Sequence, residues 1–129
     1  MSLDVLKIAS AVPRSREGDV IAKQVIRSAT SVAANYRAAC KARSHSDFIN
    51  KIGIVEEEAD ETVLWLEYIL DLSLAGKAVV EKELKEVNEL VAIFAASAIT
   101  AKRNRMNCIG NSIRQSAIGN RKLPWLSIS

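Results

Sequence analysis

The densest run of groups capable of chemistry is VEEEADET, which carries Glu56, Glu57, Glu58, Asp60 and Glu61. Carboxylates inside a helical bundle can hold a pair of metal ions when facing helices add a Glu-x-x-His arrangement. This chain has one histidine, His45, outside any such spacing and expected in a loop. The acids are therefore expected to hold no metal. Glu57 and Glu58 are read instead as packing or interface residues, set to pair with a basic side chain of a neighbouring helix or subunit, and the remaining acids as a solvated face. Nucleophilic chemistry fares no better: there is no Ser–His–Asp or Cys–His grouping, no Gly-rich phosphate loop and no HExxH. Cys40 and Cys108 stand without metal or redox spacing and read as free thiols in a reducing cytoplasm. The expectation is a protein that is not an enzyme and needs no cofactor.

Basic side chains offer the other chemistry, contact with phosphate. Arg27, Arg37, Lys41 and Arg43 fall on one long helical stretch, and Lys102, Arg103 and Arg105 close a later one. In a four-helix bundle of alternating direction those two stretches run parallel, so both basic groups are expected at one pole, where summed charge drives sequence-independent binding to nucleic acid. The plainer role for the same residues is to complement helix dipoles near C-termini. Charge is unevenly spread. The formal net charge is +3, the last acid is Glu89, and residues 102–129 contribute +6 with no acid, which leaves the remainder at −3. Ser31 and Asn35, four apart, and Gln24 on the same helix are expected to fix helix packing or to line a surface between subunits.

These groups need elements to position them. Leu3, Leu6, Ala9 and Val12 suggest a short first helix that stops before Pro13, since a residue preceding proline disfavours helical geometry. A long helix to about Arg43 carries Ile21, Val25, Ser28, Val32, Tyr36 and Ala39 at alternating spacings of three and four. Ser44 followed by Asp47 has capping-box spacing and opens a third helix. Its stripe, Phe48, Ile52, Val55, Ala59, Thr62, Leu66 and Ile69, is the strongest periodic signal in the chain, and Gly76 is its expected stop. A fourth helix from near Val79 carries Val80, Leu84, Val87, Val91, Phe94, Ala98 and Ala101, and its pattern fails past Arg105. Within it, Glu81 and Lys85 stand at ion-pairing distance along the sequence.

Together these signals define an all-α, antiparallel up-down four-helix bundle over residues 1–106, followed by a basic, poorly ordered tail over 107–129 that ends in Leu123, Trp125, Leu126 and Ile128. At 129 residues one core suffices. Aromatics make up 5%, so the core rests on Ala, Val, Ile and Leu. No apolar run is long enough for a membrane span, and no signal peptide is evident, so a cytoplasmic location is expected.

The run from Gln24 to Asn35, QVIRSATSVAAN, resembles the signature of the four-helix-bundle family of proteins encoded in 23S ribosomal RNA intervening sequences. The matching positions are Gln24, Arg27, Ser28, Ala29, Ser31, Val32, Ala33, Ala34 and Asn35. The later DFINKIGIVEEEADET resembles the family's second block, and the likeness extends over about residues 5–105. Against the family pattern the first helix starts late, and the tail with Trp125 has no counterpart. The resemblance implies a homopentamer around a central opening. A related pentameric bundle, the accessory variability determinant of diversity-generating retroelements, is similar to a nucleic-acid-binding partner of a reverse transcriptase. RNA or DNA, and a reverse transcriptase or another protein, are thus the partners implied, while no firm biochemical role comes with the family. The expected function is an accessory protein that grips nucleic-acid backbone. The competing expectation is a protein-interaction scaffold with no nucleic-acid role, suggested by the acidic body and the scarcity of aromatics for base stacking.

Overall fold

Three of the four apolar stripes become buried helix faces, and the helices they create organise the chain. The computed structural model describes residues 1–117; the Trp125 segment of the expected tail lies outside them. The elements are α1 (Ser2–Ala11), α2 (Arg16–Cys40), α3 (His45–Asp71) and α4 (Lys77–Ala117). No strand occurs among the described residues. The α3 stripe from Ile52 through Ile69 is buried throughout, as are Ile21, Val25, Ser28, Val32 and Ala39 on α2. Tyr36, expected in that stripe, stays half exposed.

The boundaries follow local chemistry. Ser15 opens α2, its hydroxyl accepting from the Gly18 N–H at 2.9 Å. Gly18 itself is required by close approach, because a Cβ there would lie 2.7 Å from the Pro13 carbonyl oxygen. Ser44 opens α3 as its spacing predicts, accepting from the Asp47 N–H at 3.0 Å. His45, expected in a loop, is the first residue of that helix. The stop of α3 is not Gly76. Ser73 takes a left-handed conformation (φ 51°), and the N–H groups of Ser73 and Leu74 return to the carbonyls of Leu70 and Ile69. This is the usual left-handed helix stop, made here without glycine. Gly76 instead sits just ahead of α4 and accepts from the Val80 N–H.

Two further expectations are corrected. On α1 and at its C-cap the expected Ala9 and Val12 are buried, but they are joined by Val5 and Ile8 and not by Leu3, which is 73% exposed. A ten-residue helix with apolar side chains nearly all round has no unique greasy face until it docks. On α4 the helix does not end at Arg105 but runs to Ala117. Among the residues whose burial is described, Ala101 is the last buried apolar one. No proline follows within the helix, and a lone Gly110 costs only about 1 kcal/mol against Ala. The apolar period reports what is covered, not where helical hydrogen bonding stops.

α3 packs against both α2 and α4, while α1 lies on α2 and reaches α4. α1 therefore roofs one half of the bundle. Beneath it Val5, Ile8 and Val12 join Val25, Leu66, Ile69, Val80 and Val87 in the main core. Beyond it the core thins to Val32, Val55, Ala59 and Phe94, then to Ala39, Ile52 and Ala98.

Candidate functional site

The α2–α3 turn and the last buried turn of α4 meet at one end of the bundle. His45 Nε2 lies 2.7 Å from the Ala101 carbonyl oxygen, so that nitrogen carries the proton and donates. Ala39 and Ala98 share a cluster with Ile52 just beneath. Arg37, in the last turn of α2, Lys41, its C-cap, and Arg43 in the turn thus stand at the same pole as Lys102, Arg103 and Arg105, which follow Ala101 within about one turn. All six are exposed, and none forms an ion pair among the described residues. Asp47 is the nearby acid in the first turn of α3.

Arg27 does not belong to this group. Its guanidinium bridges Glu58 at 3.2 Å and Glu61 on α3, while its Nε donates to Gln24 Oε1 at 3.2 Å. The Trp65 indole N–H also donates to Glu61, at 3.2 Å. Those donors, Arg27 first and Trp65 second, hold the Glu61 carboxyl below the usual carboxylate range. Gln24 and Glu58 are packing residues in this sense, but Glu57 is exposed and unpaired among the described residues. Ser31 and Asn35 bond each other: the Asn35 amide donates to the Ser31 carbonyl at 2.9 Å and to its hydroxyl at 3.1 Å. The polar contact that joins two helices in the core is a different one, Thr62 to Ser28 at 2.9 Å, with both side chains fully buried. The expected Glu81–Lys85 pair is replaced by Lys77–Glu81 at 3.8 Å. Cys40 is exposed and free.

Where α1 meets α4 lies a cluster outside the sequence expectations. Oxygens of Asp4 on α1 and of Glu83 and Glu86 on α4 lie within 4.8 Å of one another. Glu83 is 4% exposed, and its Oε1 has no hydrogen-bond partner among the described residues. Burial, then the neighbouring Glu86 and Asp4 charges, push its carboxyl above the usual range, against the opposing pull of the N-terminal ammonium. The Met1 ammonium is 3.9 Å from Glu86. A signal was present: Glu83 stands three after Val80 and four before Val87, in the apolar stripe. Asp4 could not be linked to it without the docking of α1.

Where the α1 roof ends, the walls of α2 and α4 leave an apolar cleft of about 550 Å3 with α3 as its floor. Val32, Tyr36, Phe48, Ile52, Ile93 and Phe94 line it, and Met1 and Ser2 close one end. The Tyr36 and Phe94 rings stand 5.9 Å apart across it. Tyr36 is 49% and Ile93 57% exposed.

These features define a four-helix bundle with a charged pole and an open apolar flank, in which no nucleophile–base pair is assembled among the described residues. The family model for the 23S rRNA-intervening sequence protein matches residues 1–96, and the chain belongs to that family. The same helical arrangement occurs in a crystal structure of a Bacteroides thetaiotaomicron protein of unknown function from the S23 ribosomal protein family. It is 29% identical, with a TM-score of 0.68, covering 75% of this chain and 90% of that one. No curated protein is similar enough to this chain to count as a match. No described helix is long and apolar enough to cross a membrane.

Proposed function

We propose that this chain is a non-enzymatic, cytoplasmic, homo-oligomeric bundle whose basic pole grips RNA or DNA backbone without reading sequence, as an accessory factor. The observation that carries the reading is the His45–Ala101 contact, which accompanies six exposed basic side chains at one end, none in an ion pair among the described residues. Arg37, Lys41, Arg43, Lys102, Arg103 and Arg105 would contact phosphate; Arg27, engaged by Glu58 and Glu61, would not. Within this reading α2, α3 and α4 run up, down and up. That direction is supported by Ser28 bonding Thr62 while Ala39 shares a cluster with Ile52, so that residue numbers on α2 rise as those on α3 fall.

The oligomer is a homopentamer in this reading, as the family resemblance implies, and the apolar cleft supports contact between copies. Five chains of 14.1 kDa would sediment at about 70 kDa; a species near the single-chain mass at micromolar concentration excludes the pentamer. Repeating the basic pole around a ring multiplies its charge. Affinity for a generic RNA or DNA duplex should therefore fall by orders of magnitude between about 50 and 200 mM salt, in proportion to the phosphates neutralised. A flat salt response, or no binding at low salt, excludes the nucleic-acid role.

The exposure of Tyr36 and Ile93 along the cleft favours one second reading, a scaffold that presents this flank to a protein partner such as a reverse transcriptase. Recovery of one stoichiometric protein after nuclease treatment, lost with Tyr36→Ala, would select that reading over the first.

A further inference from the structure

The buried carboxylate at the α1–α4 contact has chemistry that the basic pole and the cleft do not use. Glu83 is 4% exposed and its Oε1 accepts no hydrogen bond among the described residues, and one carboxylate oxygen from each of Asp4, Glu83 and Glu86 lies within 4.8 Å of the other two. Ionised carboxylates are rarely buried unless paired or coordinating a metal. The positive group at hand, the Met1 ammonium, sits 3.9 Å from Glu86 and supplies no hydrogen bond to Glu83 Oε1. Elsewhere in the molecule a partly exposed pair of acids on α3 is matched by Arg27; here three acids converge without an equivalent partner.

We propose that Asp4, Glu83 and Glu86 form a binding site for one divalent, oxygen-preferring cation of the Ca2+, Mg2+ or Mn2+ kind. The donor set is all carboxylate, with no imidazole or thiolate among the three residues, which disfavours zinc and copper. Metal–oxygen bonds of about 2.0–2.6 Å place ligand oxygens up to roughly 5 Å apart around one ion, the spread found here. Glu83 supplies the inner, water-shielded ligand. Asp4 is exposed and gives the ion its entry path. The three charges come from two helices, so the ion staples the first turn of α1 to α4. α1 also closes one end of the apolar cleft through Met1 and Ser2, and the staple fixes that end in place.

The test uses the full chain, Mn2+ binding read by the loss of free-ion electron paramagnetic resonance signal, and thermal melts with Ca2+, Mg2+ or Mn2+ at constant ionic strength. The expected result is one Mn2+ per chain at about 0.1–1 mM, the range of weak carboxylate sites, with a rise in Tm on cation addition and its reversal by chelator. Glu83→Gln keeps the shape and removes the charge; it should weaken Mn2+ binding tenfold or more and abolish the cation-dependent rise in Tm. Asp4→Asn, at an exposed position, should do the same in lesser degree and keeps the test valid if the Glu83 variant misfolds. No stoichiometric Mn2+ binding up to several millimolar, or binding unchanged in both variants, overturns the site.

Discussion

The half of the bundle roofed by α1 and the half beyond it are built from the same three long helices, yet they bury their apolar faces to different depths. Under α1, Val5, Val25, Leu66, Ile69, Val80 and Val87 are fully covered. Beyond α1 the corresponding faces of α2 and α4 bound a cleft, and Tyr36 and Ile93 face outward half exposed. The difference comes from one ten-residue helix that fills the space between α2 and α4 for only part of their length. The roofed half holds the deepest core; the open half leaves apolar side chains exposed along the cleft, next to the basic pole.

The strongest way to break this contrast is to truncate one side chain in each half. Leu66→Ala should cost about 2–5 kcal/mol, since it removes a fully buried side chain from a packed region. Ile93→Ala should cost the folded chain less than about 0.5 kcal/mol, as expected for an exposed position, and should act on assembly mass instead. Equal losses in urea unfolding at every protein concentration would mean that the cleft is part of the closed core.

Next in size is the link that seats α1. Gly18→Ala drives a Cβ to 2.7 Å from the Pro13 carbonyl and 2.8 Å from the Ser15 hydroxyl that caps α2. Because one neighbour is backbone, the connection must shift, at a cost of about 1–3 kcal/mol. A neutral result in the same unfolding measurement would show that the roof does not depend on this close approach.

A smaller, opposite effect is expected at the other connection of the roofed half. Ser73→Gly relieves the left-handed strain at the α3 stop and should raise stability by about 0.5 kcal/mol, the gain being reduced by the extra freedom of glycine in the unfolded chain. Any loss of stability in a thermal melt would mean that the serine side chain contributes more than its backbone strain removes.

The smallest effect concerns pH and the Arg27 bridge, which lies outside the core of either half. Glu61 has a folded-state pKa below its unfolded value, chiefly through the Arg27 hydrogen bond and then Trp65. Its contribution is fully present above the ordinary carboxylate value of about 4.3 and is lost as pH falls from there through the depressed value. Glu61→Gln should therefore flatten the acid limb of stability and leave the roofed core intact; an unchanged acid midpoint would mean that the bridge adds nothing in solution.

How far the sequence carried these conclusions depended on whether a residue's role was local. The stripe on α3, the Ser44 cap and the extended geometry before Pro13 were legible because each rests on neighbours within one or two turns. The family signature in Gln24–Asn35 was legible too, and its Arg27 belongs to a bridge with α3, not to the charged pole. Leu3 lies on the periodic face of α1 yet is exposed, and α4 continues past the end of its stripe, because apolar period records contact and not the extent of helical hydrogen bonding.

By itself, then, the sequence determined an all-α chain, three long amphipathic helices and the family to which they belong, because helical period, capping and turn chemistry are encoded within a few residues. Only the tertiary structure decided which face of α1 is covered, that His45 meets Ala101 beside the basic pole, and that Asp4 meets Glu83 and Glu86. Those facts depend on how residues as much as eighty positions apart are packed, and no local pattern in the chain specifies that docking.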